Sequence, residues 1–389
     1  MSSRKSILPG MRLEQFAMER MQSTWENRVD FNLSESGVHP LTARELLEDA
    51  NLDVVLDQPL VYSQSNGTIE LRQQVAALYP GATENHLQIT NGGSEANYMV
   101  VWRLVEPGDE VAMLVPNYMQ TWGLVRAFGG VVREWPLVED RAAARWRPDL
   151  DALERVVSKQ TRLIIICTPN NPTGACLTAD ELDRIAAIAA RHGAWVLSDE
   201  VYRGAELAET DTPSMWGRYE RVIVTSGLSK AYGLPGLRIG WVAGPPTFVE
   251  STWSYHDYTT IAPGALSDRL ARVALSSARR PALLQRTRAI IRANWPVIDA
   301  WLRDHHPSFS WIAPEAGAIV YVRYNYPINS TQLVTRLRDE KSVLIVPGDH
   351  FGMDGYLRLG FGERPEYLAQ GLERLHSLLT SLSGAHAGA

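Results

Sequence analysis

The chain has 389 residues, 45% of them hydrophobic and 21% charged, and a formal net charge of −6. That length and apolar share suffice for a large core and more than one domain, and they exclude a disordered chain. The acidic balance argues against a nucleic-acid partner, which would need a basic face. Two cysteines, Cys167 and Cys176, are too few for a disulfide framework or a four-ligand zinc site, so they read as free thiols and no metal is expected.

The N-terminus, Met1-Ser-Ser-Arg-Lys-Ser6, is polar, and no signal-peptide apolar region follows it. No apolar run approaches membrane-spanning length, so the expectation is a soluble, cytoplasmic protein with no membrane contact. Residues 1–50 read as a segment packing on a small domain and on the active site. From residue 51 short apolar runs alternate with longer amphipathic stretches, as in an α/β domain with a mainly parallel sheet. Seven strands are predicted: His86–Thr90, Glu110–Val115, Val131–Glu134, Leu163–Cys167, Trp195–Ser198, Val222–Ser226 and Ile239–Ala243. Helices are predicted over Gly93–Val105, Thr178–His192, Ala265–Leu275 and the stretch around Leu284–His305. Further on, Ala318–Arg323 and Ser342–Val346 read as strands and Glu366–Leu382 as a closing helix, with Pro365 suited to its first turn. This gives a large domain over 51–290 and a smaller α+β domain over 291–389. A parallel sheet gathers ligands at the carboxyl ends of its strands, which is where the chemistry-bearing motifs fall.

In chain order, Asn91-Gly92-Gly93-Ser94-Glu95-Ala96 follows a strand and opens a helix, where backbone amides and the helix dipole favour an anion. Alone it is equally an ordinary strand-to-helix turn. Thr168-Pro-Asn170-Asn171-Pro172-Thr-Gly174 makes a tight, fixed loop. Asp199, in Leu197-Ser-Asp199-Glu-Val-Tyr202, could by itself cap a helix. Lys230 sits in Ser226-Gly-Leu-Ser229-Lys230-Ala-Tyr-Gly233-Leu-Pro-Gly236-Leu-Arg238-Ile-Gly240. A lysine amine condenses with an aldehyde when held unprotonated. The Ser229 hydroxyl and Arg238 guanidinium suit a phosphate, and the glycines let the backbone approach a ligand closely. An aldehyde bearing a phosphate describes pyridoxal phosphate.

These motifs, in this order from about residue 30 to 375, resemble those of the fold-type I pyridoxal-phosphate aminotransferases of class I/II. The resemblance implies a fold-type I transferase: a seven-stranded, mainly parallel sheet between helices, plus the small domain. It implies pyridoxal 5'-phosphate bound through Lys230, with Gly93, Ser94 and Glu95 cradling the phosphate alongside Ser229 and Arg238. Tyr118 would stack on the pyridine ring, Asp199 would pair with the ring nitrogen, and Asn171 and Tyr202 would share the 3-oxygen. Arg358, in Tyr356-Leu-Arg358-Leu-Gly360, would grip the substrate α-carboxylate, with Asn171 and Gly37 also at the substrate. Tyr62 would reach the phosphate of a neighbouring subunit, implying a homodimer with shared active sites. Taken singly, Tyr118 reads equally as a strand-end core residue, and Tyr62 and Arg358 read first as surface or core residues with no ligand.

The reaction is narrowed by Asn32-Leu-Ser-Glu35-Ser-Gly37-Val-His39-Pro40, which resembles the matching segment of the capreomycidine-synthase family, a guanidine-cyclising branch. Further similarity lies in Ser229–Trp241, His256-Asp257-Tyr-Thr-Thr260 and Val343–Gly348. Streptolidine-forming cyclases and pyridoxal-phosphate arginine oxidases belong to the same neighbourhood, and His39 is the counterpart of the oxidases' N-terminal histidine. The resemblance implies an arginine-like, β-hydroxylated substrate that loses water and closes a ring through its guanidine. A guanidinium needs carboxylates, and Glu14, Glu35 and Asp257 are candidates, each also readable as a solvated surface group. His39 near neutrality could help a hydroxyl leave. Two motifs, Asn171-Pro-Thr-Gly174 and Asp199-Glu-Val-Tyr202, are ordinary aminotransferase sequence. They keep a conventional 2-oxo-acid aminotransferase as the alternative, with an arginine oxidase third.

Overall fold

The computed structural model describes residues 13–48, 52–305 and 308–386. Fourteen strands run in chain order: β1 (Phe31–Asn32), β2 (Leu87–Thr90), β3 (Glu110–Val115), β4 (Val131–Asp140), β5 (Arg145–Pro148), β6 (Thr161–Cys167), β7 (Trp195–Asp199), β8 (Val222–Gly227), β9 (Gly240–Ala243), β10 (Phe309–Trp311), β11 (Ile319–Tyr324), β12 (Val343–Leu344), β13 (Val346–Pro347) and β14 (Tyr356–Gly360). Eight of them form one sheet in the order β2-β9-β8-β7-β6-β3-β4-β5. The pairs β3–β4, β3–β6, β6–β7 and β7–β8 are parallel, while β9 is antiparallel to both of its neighbours. Two reversals cancel, so β2 points the same way as β8 and its carboxyl end joins the others.

All seven predicted strands are present. The eighth, β5, was not predicted because Arg-Trp-Arg-Pro lacks an apolar run; it pairs antiparallel with an extended β4 at the sheet edge, where a proline is tolerated. In β6 the side chains alternate between the two faces. Ile164 and Ile166 enter one apolar cluster, and Leu163 and Ile165 enter another on the opposite face. A sheet covered on both sides needs such a continuous apolar strand. The helix Ala179–His192 shows why its ends fall where they do: Thr178 and Glu181 form a capping box, and Gly193 closes it at φ +69°.

The second sheet has the order β10-β11-β14-β13 and is antiparallel. The predicted strand Ser342–Val346 splits in two. Its first half, β12, pairs in parallel with β1, and its second half, β13, joins the antiparallel sheet. The N-terminal segment therefore meets the C-terminal part of the chain directly: Phe31, Leu33 and Val38 share a cluster with Val343, Leu359 and Phe361. Helix Arg279–Asp304 runs through the expected boundary at residue 290. No helix among the described residues is long and apolar enough to cross a membrane.

Candidate active site

A cavity of about 300 Å³ opens at the carboxyl ends of β2, β3, β6, β7 and β8. From the sheet side it is lined by Gly93, Ser94, Tyr118, Asn171, Asp199, Tyr202, Ser229, Lys230 and Arg238, with Arg358 reaching in from β14. Parallel strands place their last residues along one edge, so motifs up to about 140 residues apart in sequence converge. From the other side the helix Ala17–Trp25 and the segment after β1 contribute Met18, Glu19, Gln22, Glu26, Glu35 and Ser36.

One end of the cavity is shaped for a phosphate. The helix Gly93–Leu104 begins at Gly92, φ +92°, and no side chain caps it, so its first amides face the cavity unsatisfied. Close backbone approach depends on missing side chains here. A Cβ on Gly92 would stand 2.3 Å from Arg238 Nη2, and one on Gly240 would stand 2.5 Å from the Gly93 nitrogen. Arg238 itself adopts a left-handed conformation, φ +50°. Glu95 points away from the cavity. Its carboxylate accepts from the Asn91 amide at 2.6 Å and the Thr260 hydroxyl at 2.7 Å, and lies 3.3 Å from His256 Nε2. Burial opposes its ionisation, but these bonds outweigh burial and hold it at about 2.

The cavity floor is polar and anchored. The Asp199 carboxylate accepts from Asn97 Nδ2 at 2.8 Å and the Val201 amide at 3.1 Å. Burial raises its proton affinity, a cost those two bonds only partly offset. The Tyr202 hydroxyl donates to Ser36 Oγ at 2.8 Å. Arg358 is buried; its Nη1 donates to Asn171 Oδ1 at 2.8 Å, and its Nε has no partner among the described residues. A buried guanidinium with a spare donor, a buried carboxylate and a glycine-lined anion cup all fit a phosphate-bearing pyridine with an amino acid attached.

Lys230 Nζ lies 2.5 Å from Glu35 Oε1. Burial alone would disfavour the charged lysine, but the Glu35 carboxylate reverses that and raises its proton affinity. Glu35 is likewise held at about 2: burial is outweighed by the lysine charge and by hydrogen bonds from Lys230 and the Gly37 and Ser36 amides. Glu26, nearby, is shifted upward by burial and by the like charges of Glu35 and Glu19. Tyr118 donates to Glu19 Oε1 at 2.8 Å and meets Phe16 edge-on at 5.1 Å.

Several expected residues stand elsewhere. Glu14 is half-exposed and paired with Arg126 at 2.6 Å, so its charge is already matched away from the cavity. Asp257 ends the helix Pro246–His256 on the surface and does not line the cavity. His39 is part-buried beside the cavity rather than on its wall. Its Nδ1 accepts from Arg286 at 2.9 Å, and burial together with Arg286 and Arg364 lowers its proton affinity. Gly37 sits against the lysine, a Cβ there coming within 3.5 Å of Lys230 Cδ. Tyr62 is 87% exposed and does not line the cavity. Cys167 and Cys176 are free thiols. Asn97, Glu19 and Glu26 were not anticipated. Asn97 lies one turn after Gly93, and Glu19, Gln22 and Glu26 recur at helical spacing, the signal that could have flagged them.

A family model for aminotransferase class I and II matches residues 44–375. Capreomycidine synthase of Streptomyces vinaceus is 35% identical, covering 98% of this chain and 95% of that protein. An aspartate aminotransferase of Streptomyces avermitilis is 28% identical over 82% of this chain and 81% of its own. Among solved structures, a PLP-dependent aminotransferase from Streptococcus suis superposes with a TM-score of 0.89 at 34% identity, over 96% of this chain and 99% of that one.

Proposed function

Because the chain belongs to the class I and II aminotransferase family and is, with that family, a pyridoxal-phosphate-dependent enzyme, we propose that it acts on an arginine-like, β-hydroxylated L-amino acid. Water is eliminated and a guanidine nitrogen adds back to the β-carbon, giving a cyclic guanidino amino acid of the capreomycidine or streptolidine type. The observation that carries this reading is the acidic wall. Glu19 and Glu26 face the cavity beside the Lys230-paired Glu35, and burial, together with the like charges of Glu35 and Glu19, raises the proton affinity of Glu26. Carboxylates that share one cavity with an α-carboxylate clamp are complementary to an amino acid with a cationic side chain. The similarity to capreomycidine synthase over nearly the full length supports the same choice.

When bound, pyridoxal phosphate draws electrons from Cα and so loosens the Cα hydrogen and the β-hydroxyl. In this reading the amides of Gly93, Ser94 and Glu95, with Ser229 and Arg238, hold the phosphate. Asp199, fixed by Asn97, keeps a proton on the ring nitrogen. Asn171 and Tyr202 would offer hydrogen bonds to the ring's oxygen, and Tyr118 would supply an aromatic surface for the ring. Arg358 uses its spare Nε–H in gripping the substrate carboxylate. Lys230 would anchor the cofactor, and its amine, when free, would take the Cα proton. His39 would assist the departing hydroxyl through its imidazole side chain, once that is released from Arg286. Across the reaction one C–O bond breaks and one C–N bond forms, one water leaves, and the Cα proton is returned. No oxidant is consumed.

The three-part division at residues 50 and 290, a cytoplasmic location and a homodimer with Tyr62 serving the neighbouring site belong to the same reading. A 2-oxo-acid aminotransferase is the second reading, favoured by the ordinary Asn171-Pro-Thr-Gly174 and Asp199–Tyr202 motifs and by the aspartate aminotransferase relative. An oxygen-using arginine oxidase is third. The test is an anaerobic single turnover with L-arginine and its 3-hydroxy derivative, followed by mass spectrometry. Loss of one water from the hydroxylated substrate supports cyclisation. A 2-oxo acid product sinks it in favour of transamination, and reaction of L-arginine only after air is admitted points to the oxidase.

A further inference from the structure

Three donors converge on one oxygen, Glu35 Oε1: Lys230 Nζ at 2.5 Å, the Ser36 amide at 2.8 Å and the Gly37 amide at 2.9 Å. The turn carrying Glu35 has little freedom to move. A Cβ on Gly360 would lie 2.1 Å from the Glu35 carbonyl oxygen, and one on Gly362 would lie 2.0 Å from that of Gly37, so backbone packs directly on backbone. The Ser34 carbonyl accepts from both Gln22 and Arg358, and Ser36 Oγ accepts from Tyr202. The carboxylate is therefore fixed before any ligand arrives. We propose that Glu35 is the counter-ion of Lys230, a positioning residue that holds the amine and its proton at the cavity wall whenever the lysine is not bonded to the cofactor.

The proposal rests on Lys230 being the cofactor lysine. It assigns Glu35 a task apart from the substrate guanidinium, which leaves Glu19 and Glu26 as the side-chain partners. Other charged or titratable groups facing the pair are Glu26, Glu363, Arg358 and Tyr202, and none of them bonds to the lysine nitrogen. A proton taken from Cα, with the C–H bond broken and an N–H bond formed, then rests on an ammonium with a fixed partner. A lysine without that partner, in a buried site, would shed the proton more readily.

The experiment uses cofactor-free protein, pulse-acetylated with acetic anhydride over a pH series, with labelling at Lys230 read by peptide mass spectrometry. The wild-type midpoint is expected above that of a free lysine. Glu35→Gln should lower it by at least about one unit, since an opposite charge at this range is worth about 1–3 units. At a fixed pH below both midpoints, labelling and pyridoxal phosphate capture should each run about tenfold faster or more in that variant. Equal midpoints in the two proteins, or a wild-type midpoint below that of free lysine, overturn the proposal. The wild-type value alone decides it should Glu35→Gln not fold. Cofactor attachment is read separately, by borohydride reduction and the mass of the Lys230 peptide. Its absence in the wild type would remove the coenzyme reading, while the acetylation midpoints would still report the ion pair.

Discussion

On one side of the cavity the functional groups hang from the ends of five strands of one sheet. On the other they hang from a nine-residue helix and from a short segment after β1 that carries little regular structure of its own. The sheet side is fixed by main-chain geometry: an uncapped helix start, glycines that admit no side chain, and a buried Asp199 tied by Asn97. The helix itself is held by side chains, Gln22 to Ser34 and Tyr118 to Glu19 among them, while only the turn carrying Glu35 packs backbone on backbone. A wall built on backbone is hard to vary and suits chemistry common to a whole family. A wall built on exchangeable side chains suits selection of one substrate.

The strongest break on the sheet side is Lys230→Ala. Loss of both the anchor and the proton-moving amine should lower kcat by at least about 10³-fold, the scale of a positioned acid–base group. The phosphate cup and Asp199 remain, so the cofactor should still bind, without a covalent link. Steady-state rates and cofactor retention on desalting check this, and retention of a tenth of the activity would mean Lys230 is not the anchor.

On the helix side, Glu19→Gln and Glu26→Gln should act on KM. A hydrogen bond to a charged group is worth about 1.5–3 kcal/mol, so KM for a guanidino substrate should rise about tenfold or more in each variant. The more exposed Glu19 should show the smaller effect, and kcat should change little. The ratio of kcat/KM between arginine-like and uncharged straight-chain substrates reads it directly. An equal loss for both substrate types would mean that the wall supports folding rather than choice.

The difference between the walls also explains what was legible in the sequence. Asn171, Asp199 and Lys230 sit in motifs whose prolines and glycines serve backbone shape, and backbone shape leaves a local mark. Glu19 and Glu26 lie in Ala-Met-Glu-Arg-Met-Gln-Ser-Thr-Trp-Glu, where a cavity-facing carboxylate and a solvated one look alike. Only the packing of that helix over Tyr118 and Ser34 tells them apart. The same lack of local signal allowed Glu14 and Asp257 to be chosen. It also hid β5, whose strand state is imposed by β4 rather than by its own composition.

A smaller effect sharpens the account of the phosphate cup. Glu95, held at about 2 in the folded protein, lies below its unfolded value. Its contribution is therefore complete above about pH 4.3 and is lost as the pH falls through about 2. Glu95→Gln should unfold at lower urea concentration than the wild type at pH 6, and the gap between them should narrow steadily below about pH 4.3. A gap independent of pH would mean that the side chain acts by packing.

The smallest expected effect sits at Glu14, five residues before Glu19 and outside the cavity lining. Its partner Arg126 is 2.6 Å away, with both side chains about half exposed, and such pairs contribute about 0–1 kcal/mol. Glu14→Gln should leave KM for a guanidino substrate within about twofold, because its effect is confined to a solvent-screened pair. Glu19→Gln, by contrast, removes a carboxylate that lines the cavity. Kinetics of the two variants measured side by side therefore test whether position on the helix, and not mere acidity of the N-terminal segment, selects the substrate. Matching rises in KM would mean that the segment rearranges when substrate binds, bringing Glu14 into the wall, and the assignment of Glu19 and Glu26 would have to be redrawn around that closed arrangement.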